Sequence, residues 1–239
     1  HSADENHAWT AVELSNVADA FVRGVACEHL GFSCVHARSS SKAVTVENCT
    51  SVDPVSLIYG GRRYPFNLDG QRALVRRCTS DLGRHAFVTG SKTAGPNVFT
   101  RCASTHDQSD IGPHHRWGVG QLYDAIHGGM MRAWDRGYLG SGHGWAGNQI
   151  VFWNCNSSAA RGGTAGFGLG SPRGGANYCF GCVSDAASGP YELEVPPCCG
   201  TGGLYYHSGA FIDEIESLYE AQMEERRAGL GPSAPPPPA

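Results

Sequence analysis

The segment DQSDIGPHHRWGVG, Asp107 to Gly120, sets two histidines, an arginine and a tryptophan side by side, at His114, His115, Arg116 and Trp117. Imidazoles exchange protons near neutral pH, and a guanidinium grips oxyanions through its forked N–H groups. Such a set can remove a proton, hold a negative charge or bind an acidic ligand. RHAFVTG supplies Arg84 and His85 upstream, and GSGHGWAG supplies His143 and Trp145 downstream. IYGGRRYPF adds Arg62, Arg63 and Tyr64, residue types suited to acidic sugars or to a solvated turn. A metal site on His114, His115 and His143 is disfavoured, because neighbouring strand residues point to opposite faces. The competing reading is structural: His, Arg and Trp close long turns and stack on one another, with imidazoles donating to backbone carbonyls.

A repeat tells how these residues are held. Aligning VRGVACEHL, VTVENCTSV, ALVRRCTSD, NVFTRCAST, QLYDAIHGG, IVFWNCNSS and NYCFGCVSD gives a column of Cys27, Cys49, Cys78, Cys102, Ile126, Cys155 and Cys182, with spacings of 22, 29, 24, 24, 29 and 27. Three residues earlier runs a second column: Gly24, Val46, Val75, Phe99, Tyr123, Phe152 and Cys179. Two residues after the first, Ser51, Ser80, Ser104, Ser157 and Ser184 recur, interrupted by His29 and Gly128. Short β-like segments, glycine-rich turns and no helical period predict a parallel β-helix, whose coils stack at about 4.8 Å. Arg84 and His85, then His114, His115 and Arg116, then His143 would share one face of three successive coils.

Stacking at that spacing permits disulfides between coils, as Cys27–Cys49, Cys78–Cys102 and Cys155–Cys182. A ladder of free buried thiols fits equally, since cysteine is small and apolar. Cys34, Cys179, Cys198 and Cys199 fall outside the column and are the stronger disulfide candidates. Ten cysteines in 239 residues, with sequons at Asn48 and Asn156, point to an oxidising, extracellular compartment.

The 41% hydrophobic content suffices for a core, and a net charge of −4 gives no sign of a nucleic-acid partner. No apolar run approaches the roughly 20 residues of a membrane span. Residues 1–207 are expected to form seven to eight coils. A C-terminal helix over roughly 211–228, within a unit spanning 208–231, is expected to cap the solenoid, with Asp213 and Glu214 in its first turn and Arg226 and Arg227 in its last. Residues 232–239 form a proline-rich tail or linker. The chain opens directly on coil material, so a processed product or a segment of a longer protein is expected.

SDIGPHHRW, GSGHGWAG, RHAFVTG, GPNVF and VFWNC, with SLYEAQMEERRAGLG near the C-terminus, resemble a group of secreted bacterial proteins within the right-handed, pectin-lyase-like parallel β-helix class. The resemblance runs to residue 231. It implies an all-β, right-handed parallel β-helix and leaves function open, because the class includes lyases, hydrolases, epimerases and tailspikes. The tail is similar to the Ser-Pro-Pro-Pro-Pro stretches of hydroxyproline-rich wall glycoproteins, implying hydroxylation or O-glycosylation at Pro235, Pro236, Pro237 and Pro238. The leading functional expectation is a structural module of an extracellular matrix, wall or fibril, contacting neighbouring copies, other glycoproteins or polysaccharide. The alternative is a lyase or epimerase on acidic glycans. There Arg116 and Arg84 would bind a uronate carboxylate, with His115 or His143 as base, His85 in support and Tyr123 or Tyr138 as acid. The third is a sugar-binding module using His114, Trp117, Trp145, Arg62 and Tyr64. No cofactor is expected. Ca²⁺, which many lyases of the class use, finds no carboxylate cluster, Asp107, Asp110, Asp124 and Asp135 being dispersed. Neither Asp-Asp nor Asp-x-Asp occurs to supply the paired carboxylates of a hydrolase.

Overall fold

A computed structural model describes residues 5–157, 165–184, 200–202, 204–206 and 209–229. Cys198, Cys199 and Pro235 to Pro238 lie outside the described residues. The repeat winds as stacked coils of three short strands. In chain order the coils are β1 (Thr10–Leu14), β2 (Ala18–Arg23), β3 (Ala26–Glu28); β4 (Ser33–Ala37), β5 (Lys42–Glu47), β6 (Thr50–Val52); β7 (Phe66–Leu68), β8 (Leu74–Arg76), β9 (Thr79–Asp81); and β10 (Phe87–Thr89), β11 (Ala94–Thr100), β12 (Ala103–Thr105). Next come β13 (Gly112–Pro113), β14 (Gly118–Asp124), β15 (His127–Gly128); then β16 (Met131–Ala133), α1 (Leu139–Gly142), β17 (Gly147–Asn148), β18 (Val151–Trp153), β19 (Asn156–Ser157). The last are β20 (Phe167–Pro172), β21 (Tyr178–Phe180), β22 (Val183–Ser184), then β23 (Gly200–Gly202) and β24 (Leu204–Tyr206), with α2 (Leu218–Arg227) after them.

Like strands pair in parallel from coil to coil: β1-β4-β7-β10-β13 in one sheet, β2-β5-β8-β11-β14-β18-β21-β24 in the second, and β3-β6-β9-β12-β15-β19-β22 in the third. A short fourth sheet runs β16-β20-β23, its last pair antiparallel. No helix among the described residues is long and apolar enough to cross a membrane.

Each bend between the second and third sheets carries a left-handed residue: Gly24, Asn48, Arg77, Arg101, Ala125, Asn154 and Gly181 all have φ between 46° and 67°. Glycine and asparagine accept that conformation readily. From Gly24 to Asn154 the N–H of the bend residue donates to the next coil, as from Asn48 to the Arg76 carbonyl at 3.2 Å and from Arg101 to that of Asp124 at 2.9 Å. These bends fix the register and correct the first row of the repeat. Ala26 pairs with Thr50, so Val25, not Cys27, stands beside Cys49. Likewise Val22, not Gly24, lies opposite Val46. Cys27 occupies the serine column, opposite Ser51.

That shift takes Cys27 away from Cys49. Cys27 bonds Cys34, and Cys179 bonds Cys182, so none of the expected coil-to-coil pairs forms. Two of the off-column candidates, Cys34 and Cys179, are thus bridged. Cys49, Cys78, Cys102 and Cys155 are free and buried. Their thiols turn back on the bend: Cys49 Sγ donates to the Glu47 carbonyl at 3.3 Å and Cys102 Sγ to that of Thr100 at 3.3 Å. The neighbouring column fills the middle coils with rings, Tyr123 stacking 5.0 Å from Phe99 and 4.9 Å from Phe152. Tyr123 is fully buried there, and burial pushes its hydroxyl well above the usual range, so the expectation of a catalytic acid at this position is withdrawn.

The C-terminal segment is a strap along the flank. Asn154 donates through Nδ2 to the carbonyls of Ile212 and Ile215, both at 2.9 Å. Trp153 Nε1 reaches the Ile215 carbonyl at 3.0 Å. Those carbonyls are therefore taken, and α2 begins at Leu218 rather than near residue 211. Ser217 caps it, accepting from the Glu220 N–H at 3.2 Å. Asp124 adds a cap from the solenoid, accepting from the Ser217 hydroxyl at 2.5 Å and the Leu218 N–H at 3.0 Å. Arg101 and Arg77 then bind Glu220 at 2.7 and 3.5 Å. Successive contacts step back from the coil of Asn154 to that of Arg77. In place of the expected end cap, the described contacts make α2 a brace across the middle coils.

Candidate functional site

The two long spacings in the repeat hold the key to the site. One extra length, residues 53–63, lies between β6 and β7. The other, residues 134–146, lies between β16 and β17 and folds into a small antiparallel lobe, with the Ala146 N–H on the Trp134 carbonyl at 2.9 Å and the Arg136 N–H on that of Gly144 at 2.8 Å. Gly60 and Gly61 from the first and Leu139, Gly140, Ser141 and His143 from the second border one cleft of about 480 Å³. The ordinary coils between them supply its floor, Tyr64, Arg84, His114 and His115, and Arg136 completes the lining.

His114 and His115 follow β13 in a bend, not in a strand, so the strand rule that separates neighbouring side chains does not apply. Their rings lie 5.0 Å apart, and the His143 ring sits 4.9 Å from each. The segment Arg116–Gly118 also pairs with the following lobe: the N–H groups of Arg116, Trp117 and Gly118 donate to the carbonyls of His143, Trp145 and Ala146 at 3.0, 2.7 and 3.0 Å. The histidine motif is therefore at once a coil-stacking device and a cleft lining.

The network assigns protons. Arg136 Nη1 donates to His114 Nδ1 at 3.2 Å, so the His114 proton sits on Nε2, which donates to the Tyr64 hydroxyl oxygen at 3.0 Å. Tyr64 Oη also accepts from Arg84 at 3.3 Å, leaving its own proton for the Gly60 carbonyl at 3.4 Å. Beneath them His85 donates from Nδ1 to the Asp110 carbonyl at 2.6 Å. The Asp110 carboxylate lies 3.5 Å from Arg136 and 3.5 Å from His85. Burial alone would raise that carboxyl, but the adjoining His85 ring, the Arg136 and Arg132 guanidiniums and the Ser109 hydroxyl more than offset it and hold it below its ordinary range.

Burial, then mutual repulsion and the surrounding guanidiniums, keeps every imidazole here uncharged. His143 is lowered to about 4 by desolvation, then by His115, Arg136, Arg116 and Arg84. His85 is lowered to about 4, first by burial. His114 and His115 are lowered by burial and by their charged neighbours. Burial also raises the Tyr64 hydroxyl, so it stays protonated. Arg84 has no carboxylate partner among the described residues, and no acidic side chain lines the cleft. Buried Nδ1 of His115, Nδ1 of His143 and Nε of Arg136 lack hydrogen-bond partners, the condition of groups set for a ligand. Among the described residues no cluster of His, Cys, Asp or Glu fits a metal ion, and the guanidinium on His114 opposes one.

Several candidates fall elsewhere. His85 is buried under Tyr64 and His114 and does not line the cleft. Arg116 acts as a strut, its Nη2 donating to the Ser141 carbonyl at 2.6 Å and hydroxyl at 2.7 Å. Arg62 is occupied by Glu5 and stacks over Tyr59, and Arg63 is buried on Ser56. Trp117 is exposed and Trp145 half-buried, both outside the lining, as is fully exposed Tyr138. Asn48 is exposed at a bend, whereas Asn156 is half-buried in β19. Sequence reasoning missed Arg136 and Asp110 as site residues and left Tyr64 as a sugar contact. The available signal was the pair of 29-residue spacings, which mark the two walls.

Gly140 shapes the His143 side of the cleft. It has φ +57°, and a Cβ there would collide with the His143 ring. Gly140→Ala is expected to displace that ring and lower ligand affinity or turnover at least about tenfold, the scale on which a misplaced catalytic group loses efficiency. The check is to compare that loss with the urea midpoint, since Gly140 lies in an exposed wall.

No protein-family model, curated protein or solved structure matches this chain.

Proposed function

We propose that the protein is a polysaccharide-lyase-like module acting on acidic glycans, built on a right-handed parallel β-helix and working outside the cell. One observation carries the reading: uncharged imidazoles and two guanidiniums line a single open cleft that holds no carboxylate. Arg84 and Arg136 would neutralise a uronate carboxylate, which acidifies the adjacent C–H. His143 would take that proton on its free nitrogen. The electron pair then forms a carbon–carbon double bond as the glycosidic C–O bond breaks, and Tyr64 would protonate the leaving oxygen. The absence of a carboxylate pair in the lining speaks against glycoside hydrolysis. The right-handed sense follows the usual hand of parallel crossovers.

A second reading keeps the structural role in a matrix or wall. Its support is the first coil, where β1, β2 and β3 each end their sheet with an edge unpaired among the described residues. Such edges suit pairing with a neighbouring copy or another glycoprotein. Incubation with a panel of uronate polymers, followed by absorbance of the unsaturated product, separates the readings. Product from at least one polymer supports the lyase. Binding without product favours a sugar-binding module, and concentration-dependent assembly with neither favours the structural role.

A further inference from the structure

We propose that the cleft binds its anion together with a proton: a negatively charged group of a sugar entering between Arg84 and Arg136 draws a proton from solvent onto His143. This rests on the cleft being an anion site and adds how that site is regulated.

Two imidazoles line the cleft with an unpartnered Nδ1, His115 and His143, and His143 is the one on which Arg84 and Arg136 both act. His114 has both ring nitrogens engaged, by Arg136 at 3.2 Å and Tyr64 at 3.0 Å. His85 lies below the floor with Nδ1 committed to the Asp110 carbonyl at 2.6 Å. His143 lines the cleft, and its buried Nδ1 has no partner. Around it stand His114 and His115 from the bend after β13, Arg116 from the same bend, Arg84 and Tyr64 from the floor, and Arg136 from its own lobe. Asp110 lies behind Arg136, and Asp69 acts on His115. Every charged group that lines the cleft is cationic. In the empty cleft a proton on His143 meets guanidiniums, and a bound anion reverses that field at short range.

The sign follows from linkage. An anion that raises the affinity of His143 for a proton is itself bound more tightly where that proton is present. The gain is complete below the midpoint of the free ring and disappears as pH rises through the midpoint of the ligand-bound ring. Binding therefore tightens in acid. A neutral His143 acting as base would lose turnover over the same interval, so affinity and rate run in opposite directions with pH.

Inorganic sulfate is the probe, because its charge is constant across about pH 4.5–7.5 and any pH dependence belongs to the protein. The expected result is a Kd that falls up to about tenfold per pH unit on acidification. Calorimetry in two buffers of unlike ionisation enthalpy should show uptake approaching about one proton per sulfate. In the wild-type protein the His143 ring resonance should titrate at higher pH with sulfate than without. His143→Gln should lose the acid-side gain. A constant Kd without proton uptake, an unmoved His143 midpoint, or the full slope retained in a folded His143→Gln protein would each overturn the proposal. Failure of sulfate and of polygalacturonate to bind at any pH would instead remove the anion-site reading beneath it.

Discussion

His143→Ala is expected to slow unsaturated-product formation from an acidic polysaccharide by about 10²–10⁴-fold, the contribution of a positioned general base. The loss should fall on kcat more than on KM, because Arg84 and Arg136 still hold the carboxylate. Two imidazoles that line the cleft have an unpartnered Nδ1, His115 and His143, and the assignment goes to His143 because Arg84 and Arg136 both act on it. His114 offers no free nitrogen, His85 is sealed beneath the floor, and Tyr123, which sequence reasoning offered as the acid, is locked between Phe99 and Phe152. The free ring titrates at about 4, so it is unprotonated and ready to accept a proton at neutral pH. Turnover should fall in acid as that ring protonates, from a higher pH with substrate bound than the free value indicates. Arg84→Ala should act differently, raising KM as well as lowering kcat. An unchanged rate in His143→Ala would move the base to His115 or dismiss the chemistry altogether.

Asp110→Ala is expected to destabilise the fold by about 3–5 kcal/mol, the range for removing one partner of a buried ion pair. The carboxylate and the Arg136 guanidinium are 6% and 10% exposed, 3.5 Å apart, so the variant strands a buried cation. The Ser109 hydroxyl, 2.9 Å from Oδ1, loses its acceptor as well. Asp110→Asn retains the volume and isolates the charge. The carboxyl titrates below its ordinary range in the folded protein. Its stabilisation is therefore present above the unfolded carboxylate range and is lost as pH falls through the folded value. Urea unfolding should accordingly show the wild-type advantage at neutral pH shrinking in strong acid. A loss below about 1 kcal/mol at neutral pH, the scale of an exposed pair, would mean that the cleft floor does not depend on this contact.

The stacked parallel coils were legible because a period written in cysteine and serine survives variable linkers. The first coil was misaligned by two residues because Cys27 matches the cysteine column chemically while its register places it with serine. Gly24, aligned with Asn48 as the left-handed bend residue, was the cue that a backbone argument would have used. The convergence of Arg84, His114 and His115 followed from coil stacking, and His143 joins them from the inserted lobe. What stacking could not supply were contacts made by the insertions, whose course depends on tertiary packing: the capture of Arg116 by Ser141, of Arg62 by Glu5, and the Arg136–Asp110 pair under the floor. The strap was misread for a related reason. Phe211 and Ile215 fit a helical stripe, yet Asn154 takes the carbonyls that a helix there would need.

The most direct test of the acidic-glycan cleft is product formation by the wild-type protein on a panel of uronate polymers, with neutral polysaccharides alongside. The account predicts unsaturated product from at least one uronate polymer and none from the neutral ones. Absence of product from every uronate, in a protein shown to be folded, would contradict it.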